Sequence, residues 1–563
     1  MSSRPAPLER PVDGPGEAVG PRVRRPRLPP APALAGTLPQ PNALLTAGIG
    51  LLLAALAIGG GGTASLRSAT IAHLAMVLAG GGLVAGAGLI AARPRRLWGV
   101  WSMVGLVVLA ALTATSIAWS INPADSWLEA NRTFAYAAVF AAVIAGAHVA
   151  PHRWQALLGG VLVGCVVASV YALATKVLPG LLAENEIYAR LRQPFGYWNA
   201  VGLMAALGLP ACLWLGSRRH GHAGINALAY PAAGLLSLTL LLSYSRGALL
   251  AGAVGCALWF ALVPRRLRGF AVLGTGVVVA FAAALWAFGQ AALTEDEVDL
   301  ALRAAAGAHL GLLAAAVALT LLVAGLALGF TTALRPPPPL TRRRAGAIAL
   351  VAVALVPVGV TVALAASERG LGGSLAAGWD SVTAPEVANP TNGPSRLTDP
   401  QSVRGLYWRE SLQMFADNPV AGLGAGGFET ARPRYGPDLI TTSYAHGFGF
   451  QTLADLGLAG GLVVAALFAA WAAAALRASG LSRGWRRRAH TPERMGLITL
   501  LAVAVVFGVH SLIDWTWVFP ATAAAALLCA GWLAGRGPFD EPPRARAERR
   551  MGRLRPRLGE GLR

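Results

Sequence analysis

Charged residues are scarce in this sequence of 563 residues, and lysine is almost absent. Only 13% of the residues are charged, 55% are hydrophobic and the mean hydropathy is +0.56. This excludes an ordinary soluble domain, in which about 25% of residues are charged. Lys176 is the only lysine, so arginine supplies nearly all of the positive charge behind the net charge of +21. A polytopic membrane protein rich in arginine fits this composition.

Cysteine is also rare, and its placement excludes the usual cysteine chemistry. The four cysteines fall within apolar runs and show no paired spacing: Cys165, Cys212, Cys256 and Cys529. Such residues are typical of small buried hydrophobic side chains. We therefore expect no disulfide framework and no cysteine metal site.

Long apolar runs recur along the chain. Many approach the roughly 20 residues that a helix needs to cross a bilayer, and the alternating pattern of membrane strands is missing. The sequence predicts an all-α fold with about 12–14 transmembrane helices. The fourteen candidate spans are 43–59, 69–92, 97–119, 133–150, 154–178, 198–216, 225–243, 247–263, 269–292, 303–330, 344–366, 444–476, 495–512 and 515–535.

The distribution of arginine predicts the orientation of these spans. With the N-terminus inside, most arginines fall in the inner loops and the two tails, as the positive-inside rule requires. Both termini are then cytoplasmic, the chain is a multi-pass protein of the inner or plasma membrane, and its polar loops face outward. Basic loops beside anionic membrane lipids account for the net charge, so we expect no nucleic-acid partner.

Composition divides the chain into five parts. These are a disordered, basic, proline-rich cytoplasmic arm (1–41), a first transmembrane block of about eleven spans (42–366), a long extracytoplasmic loop with a short amphipathic helix (367–443), a C-terminal block of about three spans (444–536) and a basic cytoplasmic tail (537–563). The arm cannot bury a core. It also lacks the apolar segment of a cleaved signal peptide.

The long loop contains the clearest local order. Ser402 is a candidate cap for a helix that ends before Asn418-Pro419. Arg404, Trp408, Leu412 and Phe415 share one face of this helix. That face fits a helix lying on the membrane with an arginine near a headgroup, and it equally fits an ordinary packed loop helix with an exposed arginine.

The loop continues into a glycine-rich turn and a histidine. "GLGAGG" (422–427) formally fits a dinucleotide-binding fingerprint, but no flanking strand is visible; a tight turn with backbone N–H groups open to an anion is favoured. His446 then begins the twelfth span, where the helix N-terminus favours a neutral imidazole. His446 shares a helix face with Gly457 and Gly460, glycines that would let a neighbouring helix approach. A neutral histidine there can act as a base, or can simply bind a loop carbonyl.

Other polar residues stand at the outer ends of spans. Arg246 opens the eighth span, and Asp514 follows the thirteenth within "VHSLIDWTWVFP". Arg192, Tyr197 and Asn199 lie at the mouth of the sixth span. Ionisable groups at such positions are functional candidates. Arginine forks bind phosphate oxygens, so these residues suggest a ligand with an anionic head, such as a diphosphate, and a lipid tail.

Four motifs together resemble the O-antigen ligase and O-antigen polymerase family. They are "SYSRGA" (243–248), "VRGLYWRESLQMFADNPVAGLGAGGF" (403–428), "HGFGFQTLADLGLAGG" (446–461) and "HSLIDW" (510–515). The resemblance covers roughly residues 180–535. Family members are outward-facing membrane glycosyltransferases of cell-surface polysaccharide assembly, which use polyprenyl-diphosphate-linked glycans.

The resemblance implies a site and a reaction. His446, Arg246 and Arg404 would be catalytic, and Arg192, Tyr197, Asn199, Trp408 and Asp514 would bind substrate. The donor is a polyprenyl-diphosphate-linked glycan, the acceptor a hydroxyl of a glycan, lipid or protein, and transfer is inverting. Preplaced arginines stabilise charge on the leaving oxygen, so no metal or other cofactor is expected.

This sequence departs from the family pattern, and other functions stay open. Gly447 stands where the family usually has Asn, Ser or Gln after the histidine, and fourteen spans exceed the usual twelve or so. The acidic run 294–299, "TEDEVD", leaves a metal role open. A transporter or flippase of a lipid-linked or anionic substrate is the alternative from another class, and a non-catalytic scaffold is a further one.

Overall fold

The fold is described from a computed structural model of the chain. It describes residues 41–60, 66–90, 97–218, 221–334, 338–366, 370–383, 392–397, 402–436, 442–482, 485 and 488–540. Nearly all of the predicted arm and of the predicted tail lies outside these residues. The described residues form helices and turns and include no strand, which confirms the predicted all-α fold.

The described residues up to 262 include ten α-helices. Nearly all of them are rich in Ala, Leu, Val and Gly, as the apolar runs predict. Their bounds are α1 Pro41–Gly59, α2 Leu66–Ile90, α3 Val100–Thr115, α4 Pro123–Val149, α5 Trp154–Val177, α6 Pro179–Leu182, α7 Trp198–Ser217, α8 Ala223–Ala227, α9 Ala229–Leu242 and α10 Arg246–Leu262.

The second half adds ten more, several of them within the predicted long loop. Their bounds are α11 Arg266–Phe288, α12 Ala291–Thr294, α13 Leu300–Leu334, α14 Pro339–Ala365, α15 Gly370–Thr383, α16 Arg404–Asp417, α17 Phe428–Ala431, α18 Phe448–Ala478, α19 Pro492–Ser511 and α20 Pro520–Gly535. Each of the fourteen predicted spans lies on one or two of these helices. Within the described residues, eleven helical segments are long and apolar enough to cross a membrane, and α10 and α20 are shorter apolar helices.

Helix α7 lies at the centre of the bundle. It packs against α5, α9, α10, α11 and α19, and 94% of its apolar window is buried, against 11% for α2 at the periphery. Small residues permit these close contacts. A side chain at Gly255 of α10, for example, would meet Val506 and Ala502 of α19. The central helices therefore form a rigid base for the loops at their ends.

Helix α4 begins ten residues before its predicted start. Asn122 caps it by accepting a hydrogen bond from the Asp125 N–H, and Pro123 occupies the first turn, which is a common helix start. The hydropathy pattern missed residues 123–132 because they include the charged residues Glu129 and Arg132. These two side chains form an ion pair at 2.5 Å, so charge is carried inside an otherwise apolar helix.

Helix α18 is broken at Gly457, which has left-handed φ and non-helical ψ (59°, −154°). The carbonyls of Pro419 and Val420 accept hydrogen bonds from Leu458 N at 2.8 Å and Ala459 N at 3.1 Å. A Cβ at Gly457 would lie 2.6 Å from the Val420 carbonyl carbon. The predicted helix-to-helix approach at this glycine is therefore wrong. Instead, a loop enters the break and satisfies the backbone groups that it frees.

Candidate functional site

Asp514 is the centre of a polar cluster between α19 and α20. Its side chain is fully buried and forms an ion pair with Arg404, the first residue of α16. Its oxygens also accept hydrogen bonds from Tyr197 Oη at 3.0 Å, Asn199 Nδ2 at 2.7 Å and the Trp515 backbone N–H at 2.8 Å. These contacts bring together residues from distant parts of the chain. Both oxygens of the carboxylate therefore accept hydrogen bonds.

The electrostatics of this cluster keep Asp514 ionised. Burial raises the pKa of a carboxyl group, but the positive charge of Arg404, followed by His510 and His446, outweighs that effect and holds the pKa of Asp514 below its usual value. An ionised, fully bonded carboxylate is suited to fixing its partners in place. Its main partner, Arg404, keeps 20% of its side chain exposed, so it can meet a ligand from the open side.

His446 lies beside this ion pair just before α18. Its backbone is left-handed, with φ of 53°. Nδ1 lies 2.9 Å from the Tyr444 carbonyl oxygen, and because a carbonyl can only accept, Nδ1 must be the protonated nitrogen. The neutral tautomer therefore carries its lone pair on Nε2. The His446 carbonyl in turn accepts a hydrogen bond from Trp408 Nε1 at 3.2 Å.

The surroundings of His446 favour its neutral form. Burial is the main cause that lowers the pKa of His446 to about 4; the Asp514 carboxylate opposes the shift and the Arg404 guanidinium adds to it. The rings of Tyr407 and Trp515 enclose the imidazole, with centroids at 5.3 Å and 5.9 Å. At neutral pH the arrangement therefore presents an imidazole that can accept a proton.

Trp408 extends this aromatic surface. Its ring stacks on Phe450 of α18 at 5.0 Å with an interplanar angle of 10°. A side chain at Gly447 would come within 3.0 Å of both Trp408 Nε1 and Phe450. The glycine after the histidine therefore leaves room for this pair of rings, which gives a physical reason for the departure from the family pattern.

Arg246 opens α10 at the same end of the bundle. The preceding Ser245 caps the helix through a hydrogen bond from Ala248 N. A side chain at Gly247 would lie 3.1 Å from Ile513 and 3.5 Å from His510 Nε2, so the start of α10 packs against the turn that carries Asp514. This places Arg246 next to that turn, with its side chain half-buried.

Arg190 contacts the turn between α9 and α10, just before Arg246. Its guanidinium donates to the Ser243 carbonyl at 2.9 Å and 3.1 Å and packs over the Trp198 ring at 4.3 Å. Burial lowers the pKa of Arg190, and the positive charges of Arg396 and Arg404 lower it further. Several cations therefore lie close together here, which is the electrostatic condition for binding an anion.

Part of the chain also matches a known family. Residues 298–465 match a family model described as O-antigen ligase. Residues 298–465 are thus similar to an O-antigen ligase domain. This confirms the resemblance over that part of the chain. No curated protein matches the chain.

The O-antigen ligase domain holds only part of the cluster. Arg404, Trp408 and His446 lie within the matched residues, and Asp514 and Arg246 lie outside them. The domain therefore supplies one arginine and the histidine, and the helices on either side of it in sequence supply the partners. The site is complete only in the folded bundle.

Arg192 lies apart from this cluster. It pairs with Glu186 at 2.8 Å and stacks on Tyr188 at 4.8 Å. It lines a separate small cavity that also includes Lys176 and Arg303. The five predicted substrate-binding residues therefore divide: Tyr197 and Asn199 contact Asp514, Trp408 contacts His446, and Arg192 faces elsewhere.

The glycine turn, residues Asn418–Gly427, differs from its predicted use. Its N–H groups are bonded internally or to neighbours: Leu423 N to the Ala454 carbonyl, Gly424 N to the Asp455 carbonyl and Gly426 N to Asp455 Oδ2 at 2.9 Å. Because these donors are occupied, the predicted opening to an anion is wrong. The turn instead fixes the loop to α18.

The loop helix α16 also buries a different face from the predicted one. Gly405, Tyr407, Glu410 and Met414 are buried, and Leu412 is 45% exposed. Glu410 forms a buried ion pair with Arg432 at 2.8 Å, which holds α16 to the segment after α17. This favours the packed loop helix of the two interpretations. Ser402 bonds the Arg404 N–H, but the helix cap is Val403.

The acidic run 294–299 has a structural use. Asp296 accepts hydrogen bonds from Ala189 N at 2.7 Å and Asn392 Nδ2 at 2.9 Å, and Glu297 N donates to the Ile187 carbonyl at 2.7 Å. The run therefore anchors the loop that carries Arg190. Across the described residues, no three His, Cys, Asp or Glu side chains group as metal ligands do.

Two residues of this region, His510 and Arg190, stand among the polar residues at the outer ends of the predicted spans but were not assigned to the predicted site. His510 is fully buried, bonds Thr516 Oγ1 at 2.8 Å and lies near Asp514. Arg190 sits two residues from Arg192 and turns inward instead of it. Both lie in motifs that the sequence singled out, but hydropathy and spacing could not tell which arginine of the "RLR" run faces the bundle.

Proposed function

We propose that the chain is a membrane glycosyltransferase that moves a glycan from a polyprenyl-diphosphate donor to an acceptor hydroxyl. One observation carries the proposal: Arg404 and neutral His446 lie together at the buried carboxylate of Asp514, within and beside an O-antigen ligase domain. A cation for the leaving group and a base for the nucleophile are the two groups that such a transfer needs.

The arginines would hold the diphosphate. Arg404 presents a guanidinium anchored on one side by Asp514, and Arg246 stands at the start of α10 beside the same turn. Negative charge grows on the diphosphate oxygen as the glycosyl bond breaks. Fixed guanidinium groups stabilise that charge without reorganising, so we propose that the leaving group is balanced by arginine and needs no metal.

His446 would accept the proton of the acceptor hydroxyl. Nδ1 is committed to the Tyr444 carbonyl, so Nε2 is the atom that receives the proton while the hydroxyl oxygen attacks the anomeric carbon. Displacement in a single step inverts that carbon. General base catalysis of this kind typically contributes 10²- to 10⁴-fold in rate.

Asp514 would act as a positioning residue. Its contacts to Tyr197, Asn199 and Trp515 fix the carboxylate, and the carboxylate fixes Arg404. We also propose that this end of the bundle faces outward, because most arginines lie in loops at the opposite end and in the tails. Both termini would then be cytoplasmic.

Reconstitution in proteoliposomes tests the proposal. With a labelled polyprenyl-diphosphate glycan and a panel of glycan, lipid and protein acceptors, the wild-type chain should form an inverted linkage, and His446→Ala and Arg404→Ala should lose at least about 100-fold in rate. The matched controls are His309→Ala and Arg434→Ala, which change exposed residues of the same types. Full activity of His446→Ala would refute the proposed base. Movement of the donor across the bilayer without transfer would favour a flippase.

A further inference from the structure

A second cavity lies deeper in the bundle, between α3, α4, α18, α19 and α20. One wall is apolar and the other is polar. The apolar wall includes Leu106, Leu109, Leu467, Phe468, Phe507 and Leu527, and the polar wall includes Glu129, Arg132, Thr133, Tyr136, Gln451 and Asp455. None of these residues belongs to the cluster around Asp514. An intramembrane cavity of this mixed character is a candidate for an amphipathic ligand.

The polar wall contains both a positive and a negative group. Arg132 pairs with Glu129 at 2.5 Å, and its Nη2 donates to Tyr444 Oη at 3.3 Å. Its Nε is buried and has no hydrogen-bond partner among the residues that the structure describes. The guanidinium and the carboxylate cancel in charge. The wall therefore offers a donor without offering net positive charge.

Asp455 completes this wall from α18. Its Oδ2 accepts hydrogen bonds from Gly426 N and Gln451 Nε2, both at 2.9 Å. Its Oδ1 is buried and makes no hydrogen bond within the described part of the chain, although the Phe428 backbone amide lies near the carboxyl. Buried polar atoms are normally bonded. The cavity thus combines a buried donor with a buried acceptor.

A hydroxyl group satisfies such a pair, because it both donates and accepts. A fully ionised phosphate cannot donate, and the carboxylates of Glu129 and Asp455 would repel a phosphate in any ionised form. We propose that this cavity binds an uncharged, hydroxyl-bearing amphiphile of the diacylglycerol type. The head lies between Arg132 and Asp455, and the chains follow the apolar wall to the lipid at Phe468, which is 50% exposed.

Tyr444 connects this cavity to the site. Its hydroxyl contacts Glu129 at 3.1 Å and Arg132 at 3.3 Å, its ring stacks on Trp515 at 4.9 Å, and its carbonyl binds His446 Nδ1. A ligand that shifts the Glu129–Arg132 pair therefore acts on the residue that orients His446. This link to activity rests on the proposed function; binding itself does not.

Photolabelling of the full chain in nanodiscs tests the binding site. The probe is a diacylglycerol with a diazirine in one acyl chain, and labelled residues are mapped by peptide mass spectrometry. Labelling should concentrate on the apolar wall, around Leu106 and Leu467, and unlabelled diacylglycerol should displace it. Phosphatidic acid with the same diazirine chain should label that wall roughly tenfold less, because its charged head leaves the polar wall unsatisfied.

A matched pair of variants separates the cavity from the lipid-facing surface. Leu467→Trp narrows the cavity and should abolish the displaceable label, whereas Leu462→Trp changes a residue that is 61% exposed on the same helix and should leave it intact. Thr133→Phe fills the cavity from α4 and gives a second test should either variant fold poorly.

Three results would overturn the proposal. They are labelling of the wall no greater than at Leu462, labelling that unlabelled diacylglycerol does not displace, and equal labelling by phosphatidic acid. Because the assay requires no glycan transfer, a chain that binds the probe but transfers nothing would refute the proposed function alone.

Discussion

Two clusters of the same composition are linked through Tyr444, whose hydroxyl belongs to one of them and whose carbonyl contacts His446 in the other. Each contains an arginine, a carboxylate and a tyrosine hydroxyl: Arg404, Asp514 and Tyr197 in the site, and Arg132, Glu129 and Tyr444 beside the second cavity. In the site the carboxylate is wholly buried and the arginine is 20% exposed. In the cavity the two charges are buried to a similar extent, with 11% and 16% of the side chains exposed.

The difference shows what burial does to one set of side chains. A buried carboxylate with four partners holds an arginine whose open side is accessible, so the arginine can meet a ligand. In the cavity, the buried charges of Arg132 and Glu129 neutralise each other. Only single polar atoms, such as Arg132 Nε, then remain to bond a ligand. We therefore expect the site to respond to mutation mainly in activity, and the cavity mainly in stability.

The largest effect should come from Asp514→Ala. Removal of the carboxylate leaves Arg404 without its anchor, Tyr197 without its acceptor and Asn199 without one of its two acceptors. Transfer should therefore fall at least about 100-fold, the scale of losing a preplaced charge. Asp514→Asn should retain part of the activity because it keeps one oxygen. Rates in proteoliposomes give the readout, with the exposed Asp417→Ala as control. A rate within threefold of wild type would contradict the positioning function.

Glu129→Ala should reduce stability more than transfer. It leaves the Arg132 guanidinium inside the bundle without its carboxylate, and breaking a buried pair costs about 3–5 kcal/mol. We expect a clear fall in thermal stability in detergent, and a smaller loss of transfer per folded molecule than in Asp514→Ala. The control is Glu186→Ala, which breaks a pair whose arginine is 31% exposed. Equal stability of the two variants would mean that burial does not distinguish them.

The pH dependence of transfer should be set by His446. Its active form is neutral, so kcat/KM should hold as pH falls through 6.5 and decline only as pH approaches the lowered pKa of about 4. The fall in kcat with decreasing pH should begin at a higher pH than the fall in kcat/KM, because bound diphosphate favours the protonated imidazole of His446. Initial rates across pH test this; a kcat/KM limb near 6.5 would argue against a buried neutral base.

The smallest effect should come from Tyr444→Phe. The change removes the hydroxyl that contacts Glu129 and Arg132, but it keeps the ring on Trp515 and the carbonyl on His446. We expect a severalfold change in transfer and the loss of any response of transfer to added diacylglycerol. Trp408→Phe serves as control because it alters a different contact of His446. A response unchanged in Tyr444→Phe would separate the two clusters.

The sequence predicted the helices well because their apolar runs approach or reach the length that a membrane-spanning helix needs, and it placed Arg404 and His446 in one site. It assigned Asp514 to the substrate, because the partner of that carboxylate lies 110 residues away in the chain. It missed Glu129 and Arg132 because hydropathy counts each charge as unfavourable and cannot see that they neutralise each other. Spacing alone could not separate Arg190 from Arg192.

Backbone hydrogen bonds join the glycine turn to the broken helix α18. They limit how the chain can vary in length. Pro419, Val420, Leu423 and Gly424 are each bonded to a particular residue between Ala454 and Ala459. An insertion or deletion of one residue within either segment would shift every one of these pairings. Length variation should therefore be tolerated before α16 and excluded between Asn418 and Gly427, where the count of residues is itself a structural requirement.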